Sequence, residues 1–262
     1  MTTVKDVLTY IQTLAPTSMK MDWDNVGLLC GDPHREVHKI LVALDPFEGV
    51  CHEACEAGAD LLVTHHPLIF QAPTSITTQT SIGRSILYLC ENRISAINAH
   101  TNLDCAPGGV NDILAQTLEL EDISVIDPSG TDASGQPWGL LRMGIYDADL
   151  SCFLSHVKKK LGTPVLRYVS GQQTVHRVAV GGGACAGGLM DAYRAGCDTF
   201  VTSDIKYNQF WDAKDLGINL IDAGHFYTED PVCAVLAKKL SQAFPDLIVE
   251  KSKKHADCME FL

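Results

Sequence analysis

Three stretches in the first half of this chain recur, in the same order, in the second half. Lys39-Ile-Leu-Val-Ala-Leu44 is echoed by His176-Arg-Val-Ala-Val-Gly181, and Ala57-Gly-Ala-Asp-Leu-Leu-Val-Thr64 by Ala195-Gly-Cys-Asp-Thr-Phe-Val-Thr202. Ile94-Ser-Ala-Ile-Asn-Ala-His100 is echoed by Ile218-Asn-Leu-Ile-Asp-Ala-Gly-His225. Each third stretch leads to an amphipathic helical pattern, Val110–Leu118 and Val232–Leu240. Short apolar runs alternating with helical patterns specify βαβ units around a largely parallel sheet. Ala-Gly before each second strand fits a helix ended by a left-handed glycine. The expected fold is therefore α/β: two similar repeats, each with a small, mostly parallel mixed sheet. Residues 1–127 form the first repeat and 138–262 the second, joined by the polar, turn-rich linker 128–137. Ligands of such sheets bind beyond the carboxyl ends of the strands, so the reading places one shared site between the repeats.

The 262 residues suffice for a core without covalent staples. No apolar stretch approaches the roughly 20 residues of a membrane helix, and the N-terminal segment lacks a signal-peptide pattern; no membrane partner and a cytoplasmic location are expected. The ten cysteines show no C-x-x-C pair and read as free thiols. A formal charge of −12 weighs against a surface that embraces nucleic acid. The basic runs His156–Lys160 and Lys251–Lys254 read as solvated element ends, although a ring-shaped assembly could gather them into one basic surface, which keeps nucleic acid as a weakly supported partner.

Chemistry gathers at three strand ends. In Val63-Thr-His-His-Pro67, proline cannot continue a ladder, so the strand stops and the alternation of side chains lapses. His65 and His66 can then reach the same cleft. The second end, Asn98-Ala-His-Thr-Asn-Leu-Asp104, offers Asp104; the third, Asp222-Ala-Gly-His-Phe-Tyr-Thr-Glu229-Asp-Pro231, offers His225 and Glu229. Thr228 is read as an N-cap, with Glu229 and Asp230 in the first turn of the following helix and Pro231 tolerated there. Singly, each residue is an ordinary loop or cap group. Together, three imidazoles and two carboxylates at matching strand ends point to metal. Five ligands without a cysteine exceed one structural tetrahedral ion and suit two divalent ions sharing a carboxylate, roughly 3.5–4 Å apart. Such a mixed ligand set admits Zn, Fe, Mn or Co. Two carboxylates leave about two positive charges for hydroxide and an anionic substrate, such as a phosphate ester or nucleotide, to balance.

Three further residues are candidates for supporting roles. His100 stands near Asp104, as an orienting group, a proton shuttle or simply a buried histidine. Asp204 and Lys206 occupy the place where the second half repeats His65-His66, and either orient ligands, hold phosphate or form a structural ion pair. The glycine-rich run Gly181–Gly188 reads as tight strand-to-helix packing or as a phosphate cradle, without the P-loop pattern. His34, His38, His52, His156, His176 and His255 read as surface residues.

Four stretches resemble one family. They are Asp22-Trp-Asp-Asn-Val-Gly-Leu28 with Gly31-Asp32, Thr64-His-His-Pro-Leu68, Ala99-His-Thr-Asn-Leu-Asp104 with Gly108-Gly-Val-Asn-Asp112, and Ile221-Asp-Ala-Gly-His225 with Glu229. The chain resembles the YbgI-like dinuclear-metal proteins, the GTP cyclohydrolase I type two homologues, in their short form. The resemblance implies two intertwined α/β repeats, a ring-shaped homohexamer and a two-metal site facing an internal cavity. It assigns His66 and Asp104 to one metal, His65 and His225 to the other, and Glu229 as the bridge. Relatives often carry glycine where this chain has Ser203, and histidine where it has Asn208, so no acid–base role falls to position 208.

The leading expectation is a metal-dependent hydrolase, with the family name pointing to opening of the GTP purine ring. Its rivals are phosphoester or nucleotide hydrolysis at the same ions, and a non-enzymatic metal-binding ring that scaffolds partners. The catalytic acid and base are not assigned by the sequence.

Overall fold

The computed structural model describes residues Met1–Leu262, which separate into two units. The first comprises Met1–Leu103 and Cys233–Ala256; the second comprises Asp104–Val232 and Asp257–Leu262.

In the first unit, helix α1 (Val4–Leu14) opens with a reciprocal cap between Thr3 and Asp6, which satisfies two otherwise orphaned N–H groups. Strands β1 (Gly27–Cys30) and β2 (Lys39–Ala43), helix α2 (Glu48–Glu56), strand β3 (Leu61–Thr64), helix α3 (Ser81–Glu91) and strand β4 (Ser95–Asn98) follow. The order across the sheet is β1-β4-β3-β2, completed on the β2 side by a strand from near the C-terminus, Ile248–Lys251. Only β1 is antiparallel to its neighbour. β3 and β4 are buried along their whole length, and β2 is buried over four of five residues, as expected of parallel strands covered on both faces. Leu41, Ala43, Leu62 and Ala96 pack with Val50, Cys51 and Ala54 of α2 and Ile86 and Leu89 of α3. Gly58, after α2, takes the left-handed conformation, as its position before β3 predicts.

Helix α4 (Thr101–Cys105) carries the chain into the second unit. There α5 (Val110–Thr117), β5 (Glu121–Ile126), β6 (Gly130–Thr131), β7 (Pro137–Trp138), β8 (Leu141–Asp149), α6 (Leu150–Leu161), β9 (Arg167–Val169), β10 (Thr174–Val180), α7 (Leu189–Arg194), β11 (Thr199–Thr202), α8 (Tyr207–Leu216), β12 (Asn219–Asp222) and α9 (His225–Glu229) follow one another. The remaining elements are α10 (Pro231–Ala243), most of which counts with the first unit, and the edge strand β13 (Ile248–Lys251) already placed in that sheet. The six-stranded sheet of the second unit runs β5-β8-β10-β11-β12-β9. Its central β10, β11 and β12 are parallel, and the flanking strands antiparallel. β6 and β7 pair only with each other, within the polar segment 128–138.

The sequence repeat is thus visible in register. Thr64 ends β3 opposite Asn98 of β4, and Thr202 ends β11 opposite Asp222 of β12. Alternation sorts the second unit's core into two layers. Val178, Val180, Val201 and Ile221 face α5 and α6 residues such as Leu114 and Phe153; Ala179, Phe200 and Leu220 face Leu189 and Ala192 of α7 and Ala213 of α8.

The surface reading of His255 does not hold. It is 8% exposed, and its Nδ1 accepts the Leu44 N–H at 2.6 Å. β13 pairs with β2 and draws the following residues onto the end of that strand, where Ser252 N–H donates to Val42 O. His52 and His156 are half-buried and lie against Tyr88 and Tyr146.

Candidate metal centre

The two adjacent histidines depend on a break in the ladder. In a regular strand, successive N–H groups point to opposite sides. Here His65 N–H and His66 N–H donate to consecutive carbonyls, Ala43 O at 3.3 Å and Leu44 O at 2.8 Å. The backbone has turned at the end of β3, ahead of Pro67, so both side chains emerge toward one place. Their ring centroids are 5.0 Å apart, and that of His100 lies 5.3 Å from His65 and 5.6 Å from His66. The ligand atoms of the three imidazoles fall within 4.8 Å of one another. His100, read from the sequence as a supporting group, therefore belongs to the imidazole cluster itself.

Each ring is oriented from behind. His65 Nδ1 lies 2.9 Å from Ala99 O, His66 Nδ1 2.7 Å from Asp45 Oδ1, and His100 Nδ1 2.8 Å from Asp24 Oδ1. A carbonyl or carboxylate oxygen only accepts, so Nδ1 is the donor in each contact, which leaves Nε2 as the atom a neutral ring would offer to a metal. That is the tautomer a metal-ligating imidazole uses, with the outer oxygen fixing its aim and raising its basicity.

Asp24 is held by several donors. Burial opposes its ionisation, but hydrogen bonds from His100, from the Thr101 hydroxyl and from the Thr101 N–H outweigh that cost and hold the carboxyl well below the usual range. Asp24 and Asp45 were not among the residues singled out from the sequence. The signals were there: Asp45 follows β2 immediately before a proline, and Asp24 lies inside the Asp22–Leu28 motif.

In the second unit, β12 ends at Asp222 and Gly224 (φ +85°) lets the chain enter α9 at once. This corrects the helix-start reading: Thr228 lies inside α9 rather than capping α10, and Glu229 closes α9. His225 and Glu229 are consequently i and i+4 on one helical face, with Nε2 3.0 Å from Oε2. Thr228 Oγ1 instead accepts the Gly183 N–H. His225 repeats the outer pattern, its Nδ1 2.7 Å from Asp204 Oδ2. Asp204 thus contacts the His225 ring, the position from which the orienting role offered for it by the sequence would be exerted. Lys206 is exposed, and its backbone caps α8.

The glycine-rich run resolves toward packing. A Cβ on Gly183 (φ +61°) would meet Glu229 Oε1 at 2.0 Å and His225 Nε2 at 3.1 Å, so only glycine leaves room for these side chains. Gly182 N–H donates to Asn111 Oδ1, whose Nδ2 reaches Asp104 O at 3.2 Å and Leu140 O at 2.6 Å. Asp104 (7% exposed) and Glu229 (4% exposed) are both buried. Burial, reinforced by the charges of Asp104 and Glu229, pushes the neighbouring Cys185 thiol well up.

A model of the Duf34/NIF3 (NGG1p interacting factor 3) family matches residues 2–257. The chain belongs to the Duf34/NIF3 family. It is 35% identical over 263 aligned residues to a GTP cyclohydrolase 1 type 2 homolog of Clostridium perfringens, covering 99% of each chain. A homolog of the same name from Clostridium acetobutylicum is 34% identical, covering 92% of this chain and 90% of that one. Among solved structures, a Staphylococcus aureus hypothetical protein superposes with a TM-score of 0.92 at 32% identity, over 99% of both chains. Reduced HcgD from Methanocaldococcus jannaschii superposes at 0.80 with 29% identity, over 96% of this chain and 98% of that one. The expected α/β class and the family resemblance both stand, and the helices include none long and apolar enough to cross a membrane.

The orienting carboxylate behind His225 is open to test in this NIF3-family chain. Asp204→Asn keeps the side chain's shape and suits the left-handed backbone at this position (φ +51°). We expect divalent-metal affinity to fall about 10- to 100-fold, measured by competition with a chelating dye, at unchanged thermal stability. Unaltered affinity would reduce the Asp204–His225 pair to a surface contact.

Proposed function

We propose that this protein is a dinuclear-metal-dependent hydrolase acting on an anionic, nucleotide-class substrate. The proposed ligands are His65, His66, Asp104, His225 and Glu229: His66 and Asp104 for one ion, His65 and His225 for the other, Glu229 for both. The observation that carries the reading is the shared outer contact at Nδ1. His65, His66 and His100 in the first unit, and His225 in the second, each have Nδ1 within hydrogen-bond distance of an outer oxygen, which leaves Nε2 as the atom to offer a metal; that of His225 faces the Glu229 carboxylate. That donor set, with two buried carboxylates, fits Zn, Fe, Mn or Co. When bound, a pair of such ions supplies activated water and electrostatic stabilisation of charge on the reacting group.

The protein's own contribution is positional. Asp45 and Asp204 fix the two rings they contact, Ala99 O fixes His65, and Gly183 leaves space against Glu229. His100, hydrogen-bonded to an Asp24 carboxylate that stays ionised, is placed to hold or pass a proton at Nε2. The relatives' printed name makes GTP the first substrate to offer. The resemblance supports a homohexameric ring, and ten free thiols suit a reducing cytoplasm.

The test combines metal analysis of freshly purified protein with turnover of GTP, followed by formate release, and of a panel of phosphorylated metabolites. We expect close to two divalent ions per chain and turnover at least 100-fold above a His65→Ala control. Absence of tightly held metal, or equal turnover by the control, overturns the reading. Partner capture that persists in a Glu229→Gln variant without turnover would favour the scaffold.

A further inference from the structure

Two large aromatic side chains stand exposed beside the imidazole cluster. Trp23 is 62% exposed and Phe70 is 50% exposed. Their ring centroids are 5.7 Å apart, and each packs edge-on against His100, at 6.1 Å from Trp23 and 6.2 Å from Phe70. One imidazole thus joins this aromatic pair to His65 and His66.

Their exposure is built in. The loop carrying Trp23 is anchored on both sides of that residue, by Met21 N–H donating to Thr101 Oγ1 and by the buried Asp24 carboxylate, which binds His100 and Thr101. Asn25 then ties this loop to the one carrying Phe70, its Nδ2 donating to Ile69 O at 2.7 Å, while Asn98 Nδ2 donates to Asn25 O at 3.0 Å. Polar bonds of this kind, buried or part-buried, favour a single backbone arrangement. The arrangement they favour holds both aromatic side chains half or more exposed.

We propose that Trp23 and Phe70, their rings inclined at 62°, form a notch for a planar heteroaromatic ring, such as a purine base, stacked on one ring and edge-on to the other, whose anionic substituent is received at the imidazole cluster. A base presents a flat π-face that aromatic side chains recognise by stacking. The adjoining imidazoles and the cations assigned to them call for negative charge on the same ligand. A nucleoside phosphate carries both features one ring-width apart, and a pair of rings offers area for a base rather than for a protein surface. The anionic end of this inference rests on the hydrolase reading; the stacking end does not.

The probes are guanosine 5′-monophosphate, guanosine and ribose 5-phosphate, titrated calorimetrically into the full-length protein with its metal content measured on the same sample. We expect the nucleotide to bind more tightly than ribose 5-phosphate. Trp23→Leu should weaken the nucleotide about tenfold and leave ribose 5-phosphate unchanged, and Trp23→Phe should restore most of the loss. Phe70→Leu should act in the same direction, giving a second variant should Trp23→Leu fold poorly. Equal affinity for nucleotide and ribose 5-phosphate, or equal losses for both on substitution, overturns the notch even where two metals bind. If no metal binds, the hydrolase reading fails, yet weakened guanosine binding in Trp23→Leu still supports stacking. A change in sedimentation of Trp23→Leu with nucleotide affinity intact would assign the patch to contact between copies, against the proposal.

Discussion

On the dinuclear hydrolase reading proposed above, Glu229→Gln is expected to leave the protein folded while reducing tightly held divalent metal from about two ions per chain to one or fewer, and to abolish hydrolysis. The substitution is nearly isosteric, so the close fit of Gly182 and Gly183 against the side chain survives. What changes is charge. A glutamine has one carbonyl oxygen and an NH₂ donor in place of two acceptor oxygens; it cannot bridge two cations, and its donor end would face His225 Nε2, which lies 3.0 Å from Oε2 in the native chain. Loss of an outer partner alone costs about 10- to 100-fold in metal affinity, so loss of the proposed bridging ligand should exceed 100-fold. The measurement is metal content after dialysis against a weak chelator, beside a thermal melt. Retention of two ions by Glu229→Gln would remove Glu229 from the ligand set; a collapsed melting curve would mark it as a structural residue first.

What the sequence made legible here was local. Apolar runs ended by His-Pro or Ala-Gly-His mark where strands stop, and left-handed glycines at 58 and 196 mark where the preceding helices stop. Those signals sit within a few residues of the feature they specify, and they placed His65, His66, Asp104 and His225 at element ends. The misreadings have the opposite character. His255 is buried because β13 pairs with β2 some 200 residues earlier in the chain, and no local pattern carries that pairing. Thr228 resembled a helix cap because Glu-Asp-Pro follows it, but the positive φ of Gly224 had already started the helix. Asp24 and Asp45 act through bonds to His100 and His66, with 76 and 21 residues between partners; an acid in a turn looks the same with or without such a partner.

The Gly108–Asp112 stretch shows most clearly how a motif can be recognised before its physics is visible. Arg142, on β8, is 1% exposed, and its guanidinium is satisfied on every side. Nε and Nη2 bind the Asp112 carboxylate as a fork, Nη1 donates to Gly139 O at 2.7 Å, and Nη2 also reaches Cys105 O and Ala106 O at 3.2 Å each. Those last carbonyls end the helix that bears Asp104. Asp112→Ala would leave a buried, permanently charged guanidinium facing neutral carbonyls alone, and would also release the Gly108 N–H that the carboxylate accepts. Breaking one half of a buried pair costs about 3–5 kcal/mol, which for a chain of this size lowers the melting temperature by on the order of 10 °C. Replacing both partners together, Arg142→Met with Asp112→Leu, should recover much of that loss, because the desolvation of two charges no longer has to be offset. On the proposed ligand set, metal affinity should behave differently: the double replacement still frees the Cys105 and Ala106 carbonyls from Arg142, so the helix that bears Asp104 is less firmly held and affinity stays low. A thermal melt beside a metal titration separates the two. If Asp112→Ala melts within about 1 °C of the native protein, a shift that corresponds to well under 1 kcal/mol, the guanidinium finds other compensation and this account of the motif is wrong.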